Sequence, residues 1–428
     1  MPVNVRFTNG CRCAAANNLG EDMLEGIRVI EYATYMAAPG AGSILSDWGA
    51  DVIKVEPPGG DPIRNFFRTI GTDIQDNPVF DFDNRGKKSI ALDTTTEDGK
   101  RILRELAESA DVFLTNVRPG GLARSGLDYD GLKAVNPKLV YCSLTGYGLD
   151  GPDADKPGFD VASFWARSGV ARSTIPKGGE PFPCRTAFGD HTTSIAAAAG
   201  ICAALVEAGK TGKGRLVEAS LLRTALFTLG SDFAIQLFFG RLGSTKQRHE
   251  QIVPIMNFFR TSDDHWLCIV ARQGNSDWAP ICRVIGREDL IDDERFADAK
   301  ARRKNNAECV GILDEGFGAL TKEEAAERLD KHSIAWAPVQ TLAEAAQDPQ
   351  VQAAGGIVDL PSSAGDGSTF RSPASPVRFP GADDGPKGPS PRFGEHSREV
   401  LAALGRTDAE ISQLLKSGAV SEGEKPAK

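Results

Sequence analysis

The sequence predicts an α/β protein whose parallel sheet is covered by helices on both faces, and three observations carry that expectation. Short apolar runs alternate with helical stretches through the first 150 residues. IRVIEYAT (27–34) and DVIKVE (51–56) are β-branched runs on either side of GSILSDWGA (42–50), whose apolar spacing is helical. A glycine-bearing loop, YMAAPGAG (35–42), joins the first strand to that helix, so residues 25–64 read as half of a nucleotide-binding βαβ unit.

The elements then follow in order. SIALD (89–93) is a strand, EDGKRILRELAESA (97–110) an amphipathic helix, DVFLTN (111–116) a strand, LARSGLDYDGLKAVN (122–136) helical, and LVYCSLTGYG (139–148) a strand. Residues 192–240 read as mostly helical, broken by the turn GKTGKG (209–214) and the short strand RLVEAS (215–220). FFRTSDDHWLCIVA (258–271) reads as a hairpin turning at the Asp pair, with helical segments after it to about residue 331. Residues 361–393 are dense in Pro, Gly, Ser and Asp and read as a long excursion over the surface. SREVLAALG and DAEISQLLKSG (397–418) are helical and are expected to pack back on the first domain, with a flexible tail after them.

Composition bounds the function. A chain of 428 residues with 41% hydrophobic content can build two cores, and a net charge of −9 argues against a nucleic-acid partner, which needs a concentrated cationic surface. Eight cysteines without C-x-x-C or zinc spacing read as free thiols in a reducing compartment, with no metal site. The N-terminus lacks a continuous apolar stretch, and TTSIAAAAGICAALVEA (192–208) is short and alanine-rich enough to be a core helix. A cytoplasmic location without membrane attachment is expected. Leu45 stands where the dinucleotide fingerprint needs its third small residue, which disfavours a nicotinamide or flavin site, and no GxxxxGK[ST] motif is present.

Several stretches together resemble the class III CoA-transferases. They are EGIRVIEYATYMAAPGAG (25–42), DNRGKKSIALD (83–93), TNVRPGGLARSGLDYDGLKAVNPKLVYCSLTGYGLDGP (115–152), PGFD (157–160), FGDHTTSIAAAAGICAAL (188–205), KTGKGRLVEASLL (210–222), ERFADAKARRKN (294–305) and GEHSREVLAALG (394–405). The likeness spans roughly residues 24–415. It implies a Rossmann-like large domain built from 24–225 and 332–418, a linker helix and smaller α+β domain over 226–331, a disordered extension at 1–23 and a flexible tail at 419–428. Two such open-ring subunits would interlock as a homodimer.

For Asp190 the two readings differ. On the residues alone, an aspartate where a glycine-led loop enters an apolar helix reads as a helix cap, kept ionised by the helix dipole. The resemblance implies that it is the nucleophile, attacking an acyl-CoA thioester on the way to a free carboxylic acid acceptor. CoA is then a substrate, and no tightly bound cofactor is needed. The adenosine phosphates demand local positive charge, for which the motifs offer Asn84, Arg85 and Lys88, Asn116 and Arg124, and Thr145, Gly146 and Tyr147, with Arg124 foremost. Backbone amides near Gly146 and Gly189 are candidate oxyanion donors.

The alternative is isomerase chemistry of the methylacyl-CoA racemase type. There the G-H-D histidine corresponds to Phe159 here, and a phenyl ring carries no proton. His191 is the residue that could stand in for it, while His396 reads as a turn residue. Met36 occupies the position of the glutamine that marks formyl-CoA:oxalate transfer, and 243–257 lacks the glycine run of that branch. The chain looks more like transferases of phenyllactate and 2-hydroxyisocaproate. Met36 and Phe159, with Phe164 and Trp165, would then make an apolar acyl pocket.

Overall fold

The computed structural model describes residues 22–72, 77–272, 276–363 and 365–423, so most of the expected N-terminal extension, with Cys11 and Cys13, lies outside the described residues. The chain forms two compact units. Among the described residues, one comprises those up to Ser168, Cys184–Thr228 and those from Gly356 on; the other comprises those within Gly169–Pro183 and Leu229–Gly355.

In the first unit a parallel sheet is built from β1 (Arg28–Tyr32), β2 (Asp51–Glu56), β3 (Lys88–Leu92), β4 (Val112–Thr115), β5 (Val140–Thr145) and β6 (Leu216–Ser220). The strands lie in the order β3-β2-β1-β4-β5-β6, with a short C-terminal strand, Val420–Ser421, antiparallel to β3 at the edge. This is the doubly wound order, which leaves a crevice at the carboxyl ends of β1 and β4 where the winding reverses. Alternate residues supply both cores. Ile30, Val55, Ile90 and Phe113 face one layer with Ile102, Leu106, Leu401 and Leu414, whereas Val29, Val52, Val112 and Val140 face Ala41, Leu45, Ala197 and Ile201. Strands buried on both sides read as continuous apolar runs, which is how they were visible in the sequence.

The helices that matter for the site are α1 (Ala37–Asp47), α2 (Pro78–Asn84), α3 (Glu97–Glu108), α4 (Pro119–Arg124), α5 (Tyr129–Val135) and α6 (Phe188–Thr211). α1 begins at Ala37, five residues before the expected start, so most of the apparent glycine loop is helix. Its glycines serve packing. A Cβ on Gly42 would lie 2.0 Å from Glu31 Oε2, so only glycine lets α1 rest on β1 there. α6 runs for 24 residues, long and apolar enough to cross a membrane by length and composition, but here its inner face, including Ala197, Ala198 and Ile201, is buried in the core beside α1.

Charge is also buried in this unit. Lys54, fully enclosed, sits 3.1 Å from Glu31 and 2.8 Å from Asp61, and Lys87 sits 2.6 Å from Glu31. Such a cluster is tolerable because each ammonium is paired and hydrogen-bonded, and removing one member would strand the rest.

The excursion over 361–393 is more ordered than its composition predicts. Ile357–Pro361 and Thr369–Pro373 pair as an antiparallel hairpin. Ser375 Oγ then bonds Asp47 at 2.5 Å, Ser390 bonds Asp81, and the Gly86 amide donates to Gly388 O. Polar side chains pin this segment together with a few apolar anchors, Phe379 edge-on to Trp48 and buried Phe393. The expected tail also starts later, because Ala419 and Val420 are buried and Val420–Ser421 completes the sheet.

The second unit has a three-stranded antiparallel sheet, β7 (Asn257–Arg260), β8 (Trp266–Val270) and β9 (Ala335–Pro338). The β7–β8 hairpin turns at Asp264, in the left-handed region with φ 70°. Helices Trp278–Val284, Asn306–Gly318 and Lys322–Lys331 cover it, with Phe259 stacked on Phe317 at 5.0 Å in the core.

Candidate active site

A cavity of about 390 Å³ opens at the crevice between β1 and β4, where the strand order places it. Thr34 to Ala37 reach it from the end of β1, Asn116 to Pro119 from the end of β4, and Leu144 to Gly146 from the end of β5. The Gly158–Phe159 loop and Asp190 close it, and Asp190 is the only carboxylate among the described lining residues. Tyr35 holds a left-handed backbone, φ 64°, a strained conformation for a non-glycine residue. Its amide is fixed by a 3.0 Å bond to buried Asp61 and its ring meets Phe159 edge-on at 5.8 Å.

Asp190 sits in the first turn of α6 but does not cap it. The helix starts at Phe188, after Ala187 in a left-handed conformation (φ 61°), and no side chain of that residue caps the turn. Instead Asp160 accepts the Gly189 amide at 3.1 Å. The sequence reading of Asp190 as a helix cap is therefore corrected, and the amide of Gly189 is already committed rather than offered to an oxyanion. A Cβ on Gly189 would come 2.3 Å from Phe164 Cγ, so glycine is what lets the helix start approach so closely.

The expectation that the dipole keeps Asp190 ionised is also corrected. Burial, then the negative charge of Asp160, pushes its carboxyl up to about 7, and the neighbouring His191 only partly offsets them. Asp160 itself is raised by burial despite its amide bond. For His191 burial works against the charge, but the 3.1 Å bond from Nε2 to Asp83 and the surrounding carboxylates outweigh it and raise its pKa.

The predicted site residues divide into two groups. Asp190, Asn116, Thr145, Gly146, Met36 and Phe159 converge on the cavity. Asn116 is anchored by bonds to both the amide and the carbonyl of Thr34, 3.1 and 2.6 Å, which ties the β4 end to the β1 loop. Tyr147 stands off the lining, with the Lys156 ammonium 5.9 Å from its ring centroid.

Asn84, Arg85, Lys88 and Arg124 do not reach the cavity. Arg85 is buried against Asp47 (2.6 Å) and the Pro373 carbonyl, and Asn84 accepts from Lys87. Lys88 begins β3, at the amino-terminal edge of the sheet, paired with Asp51 and Glu399. Arg124 ends α4, exposed and a full helix away from the end of β4. Phe164 and Trp165 are core side chains rather than pocket walls.

Two cations that the sequence reading passed over do line the cavity, Arg118 and Lys156. The signal for Arg118 was present: it directly follows the end of β4 and precedes Pro119, which starts α4 and fixes where that arginine stands. A second cavity, about 470 Å³ and lined by Arg172, Lys177 and Lys246, lies wholly in the second unit and holds none of the predicted residues.

Comparison with known proteins bears on the whole chain. The (R)-2-hydroxy-4-methylpentanoate CoA-transferase of Clostridioides difficile is 32% identical over 400 residues, covering 93% of this chain and 99% of that one. Cinnamoyl-CoA:phenyllactate CoA-transferase of Clostridium sporogenes is 35% identical over 399 residues, covering 92% and 96%. A solved CaiB/BaiF family protein of Brucella suis shares the fold with a TM-score of 0.78 at 32% identity, over 91% of this chain and 100% of that structure. The sequence model of CoA-transferase family III matches residues 24–397, and with a doubly wound sheet, a cavity at its switch point and one carboxylate facing that cavity, this chain belongs to CoA-transferase family III, a family of enzymes.

Proposed function

We propose that this enzyme moves CoA from an acyl-CoA to a free carboxylic acid through covalent intermediates on Asp190. The observation that carries the reading is that Asp190 is the one carboxylate among the described residues of the switch-point cavity. Its carboxylate attacks the thioester carbonyl, CoA leaves as thiolate, and an aspartyl acyl anhydride remains. The thiolate attacks the aspartyl carbonyl of that anhydride, releasing the donor acid and leaving an aspartyl-CoA thioester. The acceptor carboxylate repeats the two steps in reverse order and departs as the new thioester, with Asp190 regenerated. One carboxylate replaces another throughout, so no nucleotide hydrolysis is required. The Gly146 amide is the candidate donor to the tetrahedral oxyanions.

Arg118 and Lys156 at the cavity are suited to the phosphates of CoA, with Asn116 and Thr145 as polar neighbours. Met36, Tyr35 and Phe159 suit an acyl group with an apolar body, in keeping with the two named bacterial relatives. Racemisation is disfavoured because Phe159 carries no proton and His191 lines a different cavity from Asp190. We also propose the interlocked homodimer and a cytoplasmic location. Supporting the dimer, Phe227 in the first unit and Leu237 and Phe238 in the second are each at least 80% exposed in the single chain.

Hydroxylamine added during turnover is expected to attack the activated aspartyl carbonyl, expelling the donor acid from the anhydride or CoA from the aspartyl thioester and leaving a hydroxamate on Asp190, found by peptide mass spectrometry. Turnover without that label, or an Asp190→Ala variant retaining more than about a tenth of the rate, a loss of only ~1.4 kcal/mol, would overturn the assignment.

A further inference from the structure

Behind Asp190 lies a pair of side chains that the transfer chemistry leaves unassigned. Asp190 and His191 are consecutive in α6, so their side chains diverge by about 100° around the helix. Asp190 faces the 390 Å³ cavity, while His191 faces a separate one of about 110 Å³ that Phe82, Asp83 and Ser194 also line. The imidazole Nε2 is 3.1 Å from Asp83 Oδ1, and the ring stands edge-on to Phe82 at 5.1 Å. Asp83 is 1% exposed, and its other oxygen has no hydrogen-bond partner among the described residues. An unpaired carboxylate at that depth is costly, so His191 is held as its counter-charge.

We propose that Asp83 and His191 form a positioning pair that keeps an imidazolium beside Asp190, so that the nucleophile is a carboxylate when the thioester arrives. The proposal rests on the assignment of Asp190 as nucleophile. A carboxylic acid does not attack a thioester, and the surroundings of Asp190 work against the anion: it is buried and faces Asp160. His191 is the cation set against them. The charged groups facing this pair are Asp190 and Asp160 towards the cavity, Asp83 from α2, and behind Asp83 the buried Lys87 and Glu31; Arg85, which also lines the smaller cavity, is committed to Asp47. Because His191 does not line the cavity of Asp190, it acts through that carboxylate and not on substrate.

The test is His191→Gln, chosen because the imidazole is 38% exposed and a glutamine amide can still donate to Asp83 Oδ1, so that the charge is removed while the buried carboxyl keeps a donor. Removing the cation raises the pKa of Asp190, so the acid limb of kcat/KM is expected to move up by about one pH unit, with about a tenfold loss at pH 6 and little at pH 9. Equal loss at every pH would mark a purely structural residue, and an unmoved limb would likewise overturn the proposal. A second readout needs no turnover: with ¹³C-labelled aspartate, the Asp190 carboxyl signal, assigned with Asp190→Asn, should titrate at higher pH in His191→Gln, and a midpoint that stays put refutes the pair. Protein that transfers nothing with any acyl-CoA and acid, yet shows that titration shift, would sink the transferase reading while leaving the pair intact.

Discussion

Asp190 is expected to make the folded protein less stable than a neutral side chain there would, and Asp190→Asn measures by how much. The unfolded carboxyl loses its proton near 3.8, whereas the folded one keeps it up to about 7. Between those values the folded state binds more protons than the unfolded state. Stability therefore falls as pH rises through the window and levels off above it. A gap of about three pH units at ~1.4 kcal/mol each sets a ceiling of about 4 kcal/mol. Local relaxation and water access reduce this, so on the order of 2 kcal/mol is the expected gain for the variant at pH 8. The gain should be small at pH 4 and grow to about pH 7. Urea unfolding of both proteins from pH 4 to pH 9 reads it directly. A variant no more stable than the wild type at pH 8, or a difference that ignores pH, would show that Asp190 ionises normally and that burial and Asp160 do not act on it.

Asp160→Asn keeps an oxygen to accept the Gly189 amide but removes the charge facing Asp190, so the acid limb of the rate profile should move to lower pH, with the unfolding midpoint little changed; a limb moving upward contradicts the electrostatics. Arg118→Ala should raise KM for acyl-CoA roughly fivefold, about 1 kcal/mol for one exposed charge, yet leave an acyl-pantetheine without nucleotide phosphates unaffected. Equal effects on both thioesters would remove Arg118 from phosphate binding. Lys54→Met strands Asp61 in the interior and should cost about 3–5 kcal/mol, lowering the melting temperature by roughly 10 °C in a calorimetric scan; a drop of only a degree or two would mean that the buried cluster contributes little.

The doubly wound sheet was legible because its strands are buried on both faces: Val29 and Ile30 point to opposite cores, and such runs announce themselves as apolar, β-branched segments even where a buried charge such as Glu31 or Lys54 interrupts them. Six of the eleven predicted site residues converge on the cavity, five of them at or just after strand ends or on the loop that closes over it and Asp190 in the first turn of α6. What was not legible is which cations face inward. DNRGKKS and TNVRPGGLAR offer the same residue types, but Arg85 and Lys88 precede a strand whereas Arg118 follows one, and ligands collect at the carboxyl ends. Counting residues from the end of β4 would have preferred Arg118 to Arg124. The hairpin within 357–373 was missed for another reason: the segment that continues from it is held by Ser375 and Ser390 to Asp47 and Asp81, and Pro373 O by Arg85, all some 300 residues away in sequence, and hydropathy carries no trace of such bonds.

DNRGKKS was expected to bind CoA through Asn84, Arg85 and Lys88, but its Lys87, which was not among them, does something less direct. The three N–H groups of Lys87 are shared among four acceptors within hydrogen-bond distance: Glu31 on β1, the Pro39 carbonyl in α1, and Asp83 O and Asn84 Oδ1 at the end of α2. Lys87 thereby fixes α2 against the strand and helix that carry the first loop. Lys54 continues the cluster to the Ala33 carbonyl and to Asp61, whose other oxygen holds the amide of strained Tyr35. One buried network therefore sets both the Tyr35 wall of the cavity and the position of Asp83 behind His191. A rigid site needs such support, because a carboxylate whose pKa is raised by its surroundings is sensitive to small movements of each neighbouring charge. A basic motif at this point in the chain is then required by the architecture whether or not it ever touches a phosphate, and that is why its composition alone misdirects a search for the ligand.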